Sequence, residues 1–345
     1  MGGSVVDEPL RMVGAPGSPY SRKLRALLRY RRIPHVWFTR GTPESRGLPR
    51  PRVDLLPQLI LEGPDGVAEA RTDTTPLIRE LESRRAGRSV VPADPVVAFL
   101  DALVEDYADE WVTKCMFHYR WAYAPDIDKA ALILPRWFAT NQPEESAVAM
   151  GKQFAQRQIE RLWVVGSNET TGPVIEASYR RLLHLLDAHL TASRFVLGAR
   201  PGAADFALYG QLTQLVGFDP TPAAIALEVA PRVAAWVDLV EELSGVEPAD
   251  DGWISRDAVP ETFHALLEEI GRVYVPFLLA NAEALEQSAE QVECEIDGKP
   301  WVQRPFPYQA KCLAWLREGH AAQASSDRQA LDAILAGTGC ERLFA

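Results

Sequence analysis

Gly14-Ala15-Pro16-Gly17-Ser18-Pro19-Tyr20-Ser21-Arg22-Lys23 decides how this chain is read. An apolar strand candidate, Leu10 to Val13, runs into it, and a basic helix candidate, Arg22 to Arg32, runs out of it. The turn between them is rich in proline and glycine and ends in a Ser-x-x-Ser box, the residue type that caps helices. A helix start has unpaired backbone N–H groups and a partial positive charge, so an anion placed there is stabilised. Serine hydroxyls beside such a site can donate to a thiolate. The plain alternative is a strand, a turn and a capped helix with no chemistry.

Residues downstream favour the chemical reading. Leu56-Pro57-Gln58-Leu59-Ile60-Leu61 is a strand candidate whose early proline demands an edge, a bulge or a cis bond. Asp65-Gly66 is a hairpin-type turn. Ala70 to Ile78, through Asp73-Thr74-Thr75-Pro76, reads as a loop entering a helix. The order is strand, helix, strand, proline-led strand, turned strand, helix. Far away stands Phe195-Val196-Leu197-Gly198-Ala199-Arg200-Pro201-Gly202-Ala203-Ala204-Asp205-Phe206.

In these motifs residues 1–83 resemble the thioredoxin-like N-terminal domain of the glutathione S-transferase superfamily. Ser18-Pro19-Tyr20-Ser21 is similar to the active-site box of the serine-type classes, where the first serine is catalytic. Ser18 and Ser21 stand where a thioredoxin-like fold carries the cysteines of Cys-x-x-Cys. Leu56-Pro57 resembles the family's cis-proline, and Asp73-Thr74 its acid–hydroxyl pair. The stretch ending at Asp205 resembles a C-terminal signature, with Gly202 where the family has a capping Ser or Thr. Asp205 is read as structural.

The resemblance implies an α/β thioredoxin-like N-terminal domain (1–83), a linker (84–95) and an all-α C-terminal domain (96–245). It does not cover residues 246–345, an extension read as packing on the helical domain. There, a helix is expected from Glu261 to about Glu290. A β-hairpin with an Asp297-Gly298 turn follows at Val292–Gln303, then helices at Tyr308–His320 and Asp327–Leu335. Residues 247–258 read as acidic and irregular, and residues 124–150, with Pro125, Pro135 and Pro143, as an inserted excursion.

The same resemblance implies roles. Glutathione is a tripeptide whose thiol has a pKa near that of free cysteine, about 8.5, and a helix start with a hydroxyl donor favours its thiolate. Ser18 is the expected donor. Ser21 is second choice and reads better as the helix cap, while Tyr20 reads as packing toward the helical domain. Pro57 leaves the backbone of Leu56 free to pair with the peptide. Asp73 can meet the γ-glutamyl ammonium, and Thr74 its carboxylate. Tyr119, Arg120 and Tyr123 are candidates for contact with an electrophilic, largely apolar acceptor, and Trp111 reads as core. A non-catalytic protein that binds a ligand or partner on the same fold is the alternative.

Composition fits a globular enzyme. The 345 residues are 47% hydrophobic and 24% charged. Thirty-six basic against 47 acidic side chains give a net charge of −11, against a nucleic-acid or anionic-membrane role. The run Arg22, Lys23, Arg25, Arg29, Arg31 and Arg32 reads as a solvated helix face. Met1 to Pro9 lacks a leader pattern, and no apolar run approaches membrane-spanning length. Cys115, Cys294, Cys312 and Cys340 are scattered, as expected of thiols in a reducing cytoplasm, and neither they nor the six histidines make a metal pattern. Family habit implies a homodimer, unless the extension covers that surface.

Overall fold

The computed structural model describes residues 8–249 and 252–345. The leader reading at the extreme N-terminus and part of the irregular stretch at 247–258 therefore concern positions outside the described residues. The N-terminal unit runs β1 (Leu10–Gly14), α1 (Pro19–Tyr30), β2 (His35–Thr39), β3 (Gln58–Glu62), β4 (Ala68–Arg71) and α2 (Thr74–Arg84). Its strand order is β2-β1-β3-β4, with β1 parallel to β2 and the other pairs antiparallel. Gln58, Leu59, Ile60 and Leu61 are all buried, as suits an inner strand covered on both faces. Leu24, Leu27 and Leu28 of α1 bury the helix stripe that faces the core.

The helical unit opens with α3 (Pro95–Tyr107), capped by Asp94, whose Oδ1 accepts from the N–H groups of Val96 and Val97. A π-helical turn at Ala108–Val112 joins it to α4 (Thr113–Ala122). The excursion expected at 124–150 holds α5 (Ala124–Ile133), a 3-10 turn at Leu134–Trp137 and α6 (Glu144–Ile159). After it come α7 (Gly172–His189), α8 (Ala203–Leu215), α9 (Pro220–Val229) and α10 (Pro231–Val240). The two units meet where α1 packs along α8. Gly210 permits that approach, since a Cβ there would lie 2.6 Å from the carbonyl oxygen of Pro19.

The extension forms α11 (Glu261–Glu269), a π turn at Ile270–Tyr274, α12 (Val275–Glu286), β5 (Val292–Ile296), β6 (Lys299–Gln303), α13 (Pro307–Ala321) and α14 (Ser325–Leu335). Asp297 and Gly298 have φ of 54° and 69°, the left-handed pair that a two-residue hairpin turn requires. Phe263, Tyr274, Phe277 and Trp301 belong to the same continuous buried cluster as Leu24, Leu59 and Trp111. The chain thus has a thioredoxin-like sheet unit, an all-α unit and extra C-terminal strands and helices sharing one core.

Candidate functional site

Strand register gathers three motifs at one end of the sheet. Val13, the penultimate residue of β1, pairs with Gln58, the first residue of β3. Leu59 pairs with Arg71, the last residue of β4. The loop carrying Ser18, the cis Leu56–Pro57 bond before β3 and Asp73 after β4 therefore leave the sheet at the same end.

Ser18 is the N-cap of α1, and its Oγ accepts from the backbone N–H of Ser21 at 3.2 Å. The sequence had favoured Ser21 for that duty. Pro19 occupies the first turn, where its missing N–H leaves nothing unsatisfied, so the helix starts three residues earlier than a cap at Ser21 would place it. Ser21 is buried instead, and its Oγ accepts from the N–H of Ala15 at 3.3 Å, bracing the turn. Ser18 uses a lone pair for the cap. Its hydroxyl proton has no acceptor among the described residues and is available to a ligand atom. Tyr20 points away to the helical unit, its hydroxyl donating to the carbonyl of Asp109 at 2.7 Å.

Two guanidinium groups steady the loop. Arg22 donates to the carbonyl of Pro16 at 3.0 Å, and Arg120 to that of Gly17 at 3.1 Å. Arg120 is 3% exposed and also chelates Asp219, so it works through the loop and not in an open cleft. Tyr119, another acceptor candidate, is 1% exposed, stacked on Tyr123 and edge-on to Tyr179. Tyr123 is half-buried, its hydroxyl donating to Glu176 at 2.5 Å. The structure thus gives these side chains partners inside the protein: α7 supplies Glu176 and Tyr179, and α8 and the turn after it supply Gln214 and Asp219. Trp137, from the excursion, sits against Gly17. Trp111 lies in the core, donating to Ser178 at 3.0 Å.

Asp73 and Thr74 open α2. Asp73 has φ of 76°, a left-handed conformation costing of order 1–3 kcal/mol in a residue with a Cβ. Although it is the N-cap, its side chain makes no capping hydrogen bond. Thr74 is 4% exposed at the helix start.

The basic run of α1 is not a solvated face. Lys23 is 1% exposed and its ammonium lies 2.6 Å from Glu105 and 2.5 Å from Asp109, which hold it charged and raise its pKa. Arg25 and Arg29 lie 2.7 and 2.6 Å from Glu241, and Arg31 lies 3.0 Å from Glu82. These pairs bind α1 to the helical unit and to α2. Near Lys23, burial and the carboxylates of Asp106 and Asp109 push Glu110 up to about 8. No sequence period announces this cluster, since its members lie on separate segments.

The departure at Gly202 has a structural explanation. Asp101 of α3 accepts from the N–H groups of Ala203 and Ala204 at 3.2 and 3.1 Å, supplying the cap from outside. A Cβ at residue 202 would lie 2.2 Å from Asp101 Oδ1. Asp205 accepts from the N–H groups of Gly202 and Val196, both at 2.8 Å.

A cavity of about 270 Å³ flanks the loop, lined by residues including Pro16, Arg22, Trp137, Gln214, Phe218 and Glu241. Ser18 does not line it.

Comparison with known proteins gives two domain matches. The glutathione S-transferase N-terminal domain model matches residues 12–89, and the C-terminal domain model residues 154–239. Among solved structures, the chain is similar to a Tau class glutathione S-transferase from mango, Mangifera indica. Identity is 18% and the TM-score 0.42, over 74% of this chain and 95% of that one. It is similar also to a Pseudomonas putida glutathione transferase solved with glutathione disulfide, at 14% identity and a TM-score of 0.39, over 70% and 94% of the two chains. A Pseudomonas fluorescens family member with two glutathione molecules bound shows 17% identity and a TM-score of 0.38, over 70% and 95%. No curated protein matches. Its two domain matches, in the order that the sheet unit and the helical unit follow along the chain, make this protein a member of the glutathione S-transferase superfamily.

Proposed function

We propose that the protein holds glutathione and activates its thiol for attack on a small, largely apolar electrophile. The observation that carries this reading is Ser18: a half-buried hydroxyl at the start of α1, its lone pair engaged by the helix and its proton unclaimed among the described residues. A hydrogen bond from that proton and the helix dipole both favour thiolate over thiol. Leu56, through its free backbone, would pair with the peptide. Thr74, at the start of α2, would hold the γ-glutamyl carboxylate, and Asp73 the ammonium. Tyr20, Ser21 and Arg120 would act indirectly, by fixing the loop and its approach to the helical unit. Conjugation, reductive cleavage and isomerisation all start from the same bound thiolate, and none needs a metal. A homodimer in the cytoplasm is proposed with this function; no helix among the described residues is long and apolar enough to cross a membrane.

One observation favours a second reading, a non-catalytic binder. Trp137 and the partnered Arg120 occupy space beside the loop that an acceptor would need. Titration with reduced glutathione, followed by thiolate absorbance as pH falls below 8, decides between them. Thiolate persisting at pH 6 to 7 and lost in Ser18→Ala supports the enzyme. Saturable binding without thiolate supports a binder of glutathione, and no glutathione binding at all overturns the enzyme and leaves a binder of some other ligand or partner.

A further inference from the structure

Asp73 is an N-cap residue that does not cap. Its side chain makes no hydrogen bond to its own helix, yet the backbone holds it at φ of 76°. The partner of its carboxylate comes from the extension: the hydroxyl of Tyr308, 235 residues away, donates to Asp73 Oδ2 at 2.8 Å. Asp73 Oδ1 has no partner among the described residues. Tyr308 is itself fixed. It sits in the first turn of α13, edge-on to Trp315 at 6.4 Å, and α13 is anchored by Gln309 and Cys312, at 3% and 2% exposure. Burial and the neighbouring carboxylate raise its pKa, so the phenol stays a donor.

We propose that Tyr308 is a positioning residue of the glutathione site, by which the extension completes the end that receives the γ-glutamyl ammonium. One carboxylate oxygen is held by the phenol and the other is left for the ammonium. A charge-assisted bond needs an acceptor fixed in direction, and a carboxylate that does not cap its helix has no other restraint. This inference rests on the proposed function, because it takes Asp73 as the ammonium acceptor.

The test is calorimetric titration of the full chain with reduced glutathione and with its analogue lacking the α-amino group. Wild type, Tyr308→Phe, Asp73→Asn and the double variant are compared. Losing one positioning hydrogen bond corresponds to about fivefold weaker glutathione binding in Tyr308→Phe. The deamino analogue should bind wild type and Tyr308→Phe alike, and Tyr308→Phe should add nothing once Asp73 is Asn. Unchanged glutathione affinity in Tyr308→Phe overturns the proposal. So does an equal loss for both ligands, which would mark a general structural role. Tighter binding overturns it too, showing that the phenol blocks the ammonium position. A wild-type protein that binds no glutathione fails differently, removing the functional reading and this inference with it.

Discussion

The loop at residues 14–21 and the extension beyond residue 245 differ in what their side chains face. The loop leaves a hydroxyl toward a ligand, and the extension packs its large side chains into the core. In the loop, Ser18 is half-buried and keeps a proton that no other described residue accepts. In the extension, Tyr274 donates to Asp106 at 2.6 Å, Asn281 binds the Phe306 backbone, and Trp301 is wholly buried against Trp111 and Phe277. Unfilled hydrogen-bonding capacity at a rigid helix start is a place for a ligand. Large side chains packed inside a shared core, as at Trp301, are a place where removal leaves a hole. The two regions should therefore fail differently when altered.

The largest effect is expected in the extension. Trp301→Ala should cost about 3–5 kcal/mol, by the usual penalty for emptying an aromatic core site, seen as a lower midpoint in denaturant. Because Trp301 shares one core with the sheet unit, unfolding should stay a single transition. Two separate transitions would break the comparison by making the extension a unit of its own.

Ser18→Ala should do the reverse. Loss of a donor to a developing anion commonly lowers turnover about 10²–10³-fold, while loss of the cap costs only about 1 kcal/mol. Turnover of a generic electrophile beside thermal unfolding would show both. A fully active Ser18→Ala protein would remove the contrast.

Glu110 sharpens it at the interface between the regions. Its folded pKa of about 8 lies above the unfolded carboxylate value. The folded state therefore binds its proton more tightly, and stability falls as pH rises from the unfolded value through about 8. Glu110→Gln should flatten that decline, by on the order of 2–4 kcal/mol across the window. Urea unfolding at pH 5 and pH 8 measures it; an unchanged slope would remove Glu110 as the cause.

The smallest effect concerns Gly202. Gly202→Ser places a side chain where Asp101 already caps α8, and overpacking of this kind costs about 1–3 kcal/mol. Pairing it with Asp101→Ala should recover part of the loss, since the serine can then take over the cap. A stabilised single variant would contradict the account.

Sequence reading served best where geometry is local. The Asp297-Gly298 turn, the helix after Ser18-Pro19 and the cis bond at Pro57 each rest on neighbours within a few residues. It was less sure even there about which serine caps α1, because the choice depends on where Pro19 falls in the first turn. It misjudged the basic run of α1. Alternating Arg and Leu looks the same whether the charges face water or, as here, the carboxylates Glu105, Asp109 and Glu241. From the sequence Tyr119 and Arg120 read as acceptor contacts, and only the packing of α7, α8 and the turn after it gives them partners inside the protein.

By itself the sequence determined the strand–loop–helix carrying Ser18, the hairpin of the extension and the order of sheet unit before helical unit. Local backbone preferences and short-range hydrogen bonds suffice for these. Tertiary structure alone decided that Lys23 is buried between two carboxylates, that Asp101 caps α8 in place of residue 202, and that Tyr308 meets Asp73. Each joins residues from distant segments, and such pairings leave no periodic trace in the chain because they are set by how whole helices pack.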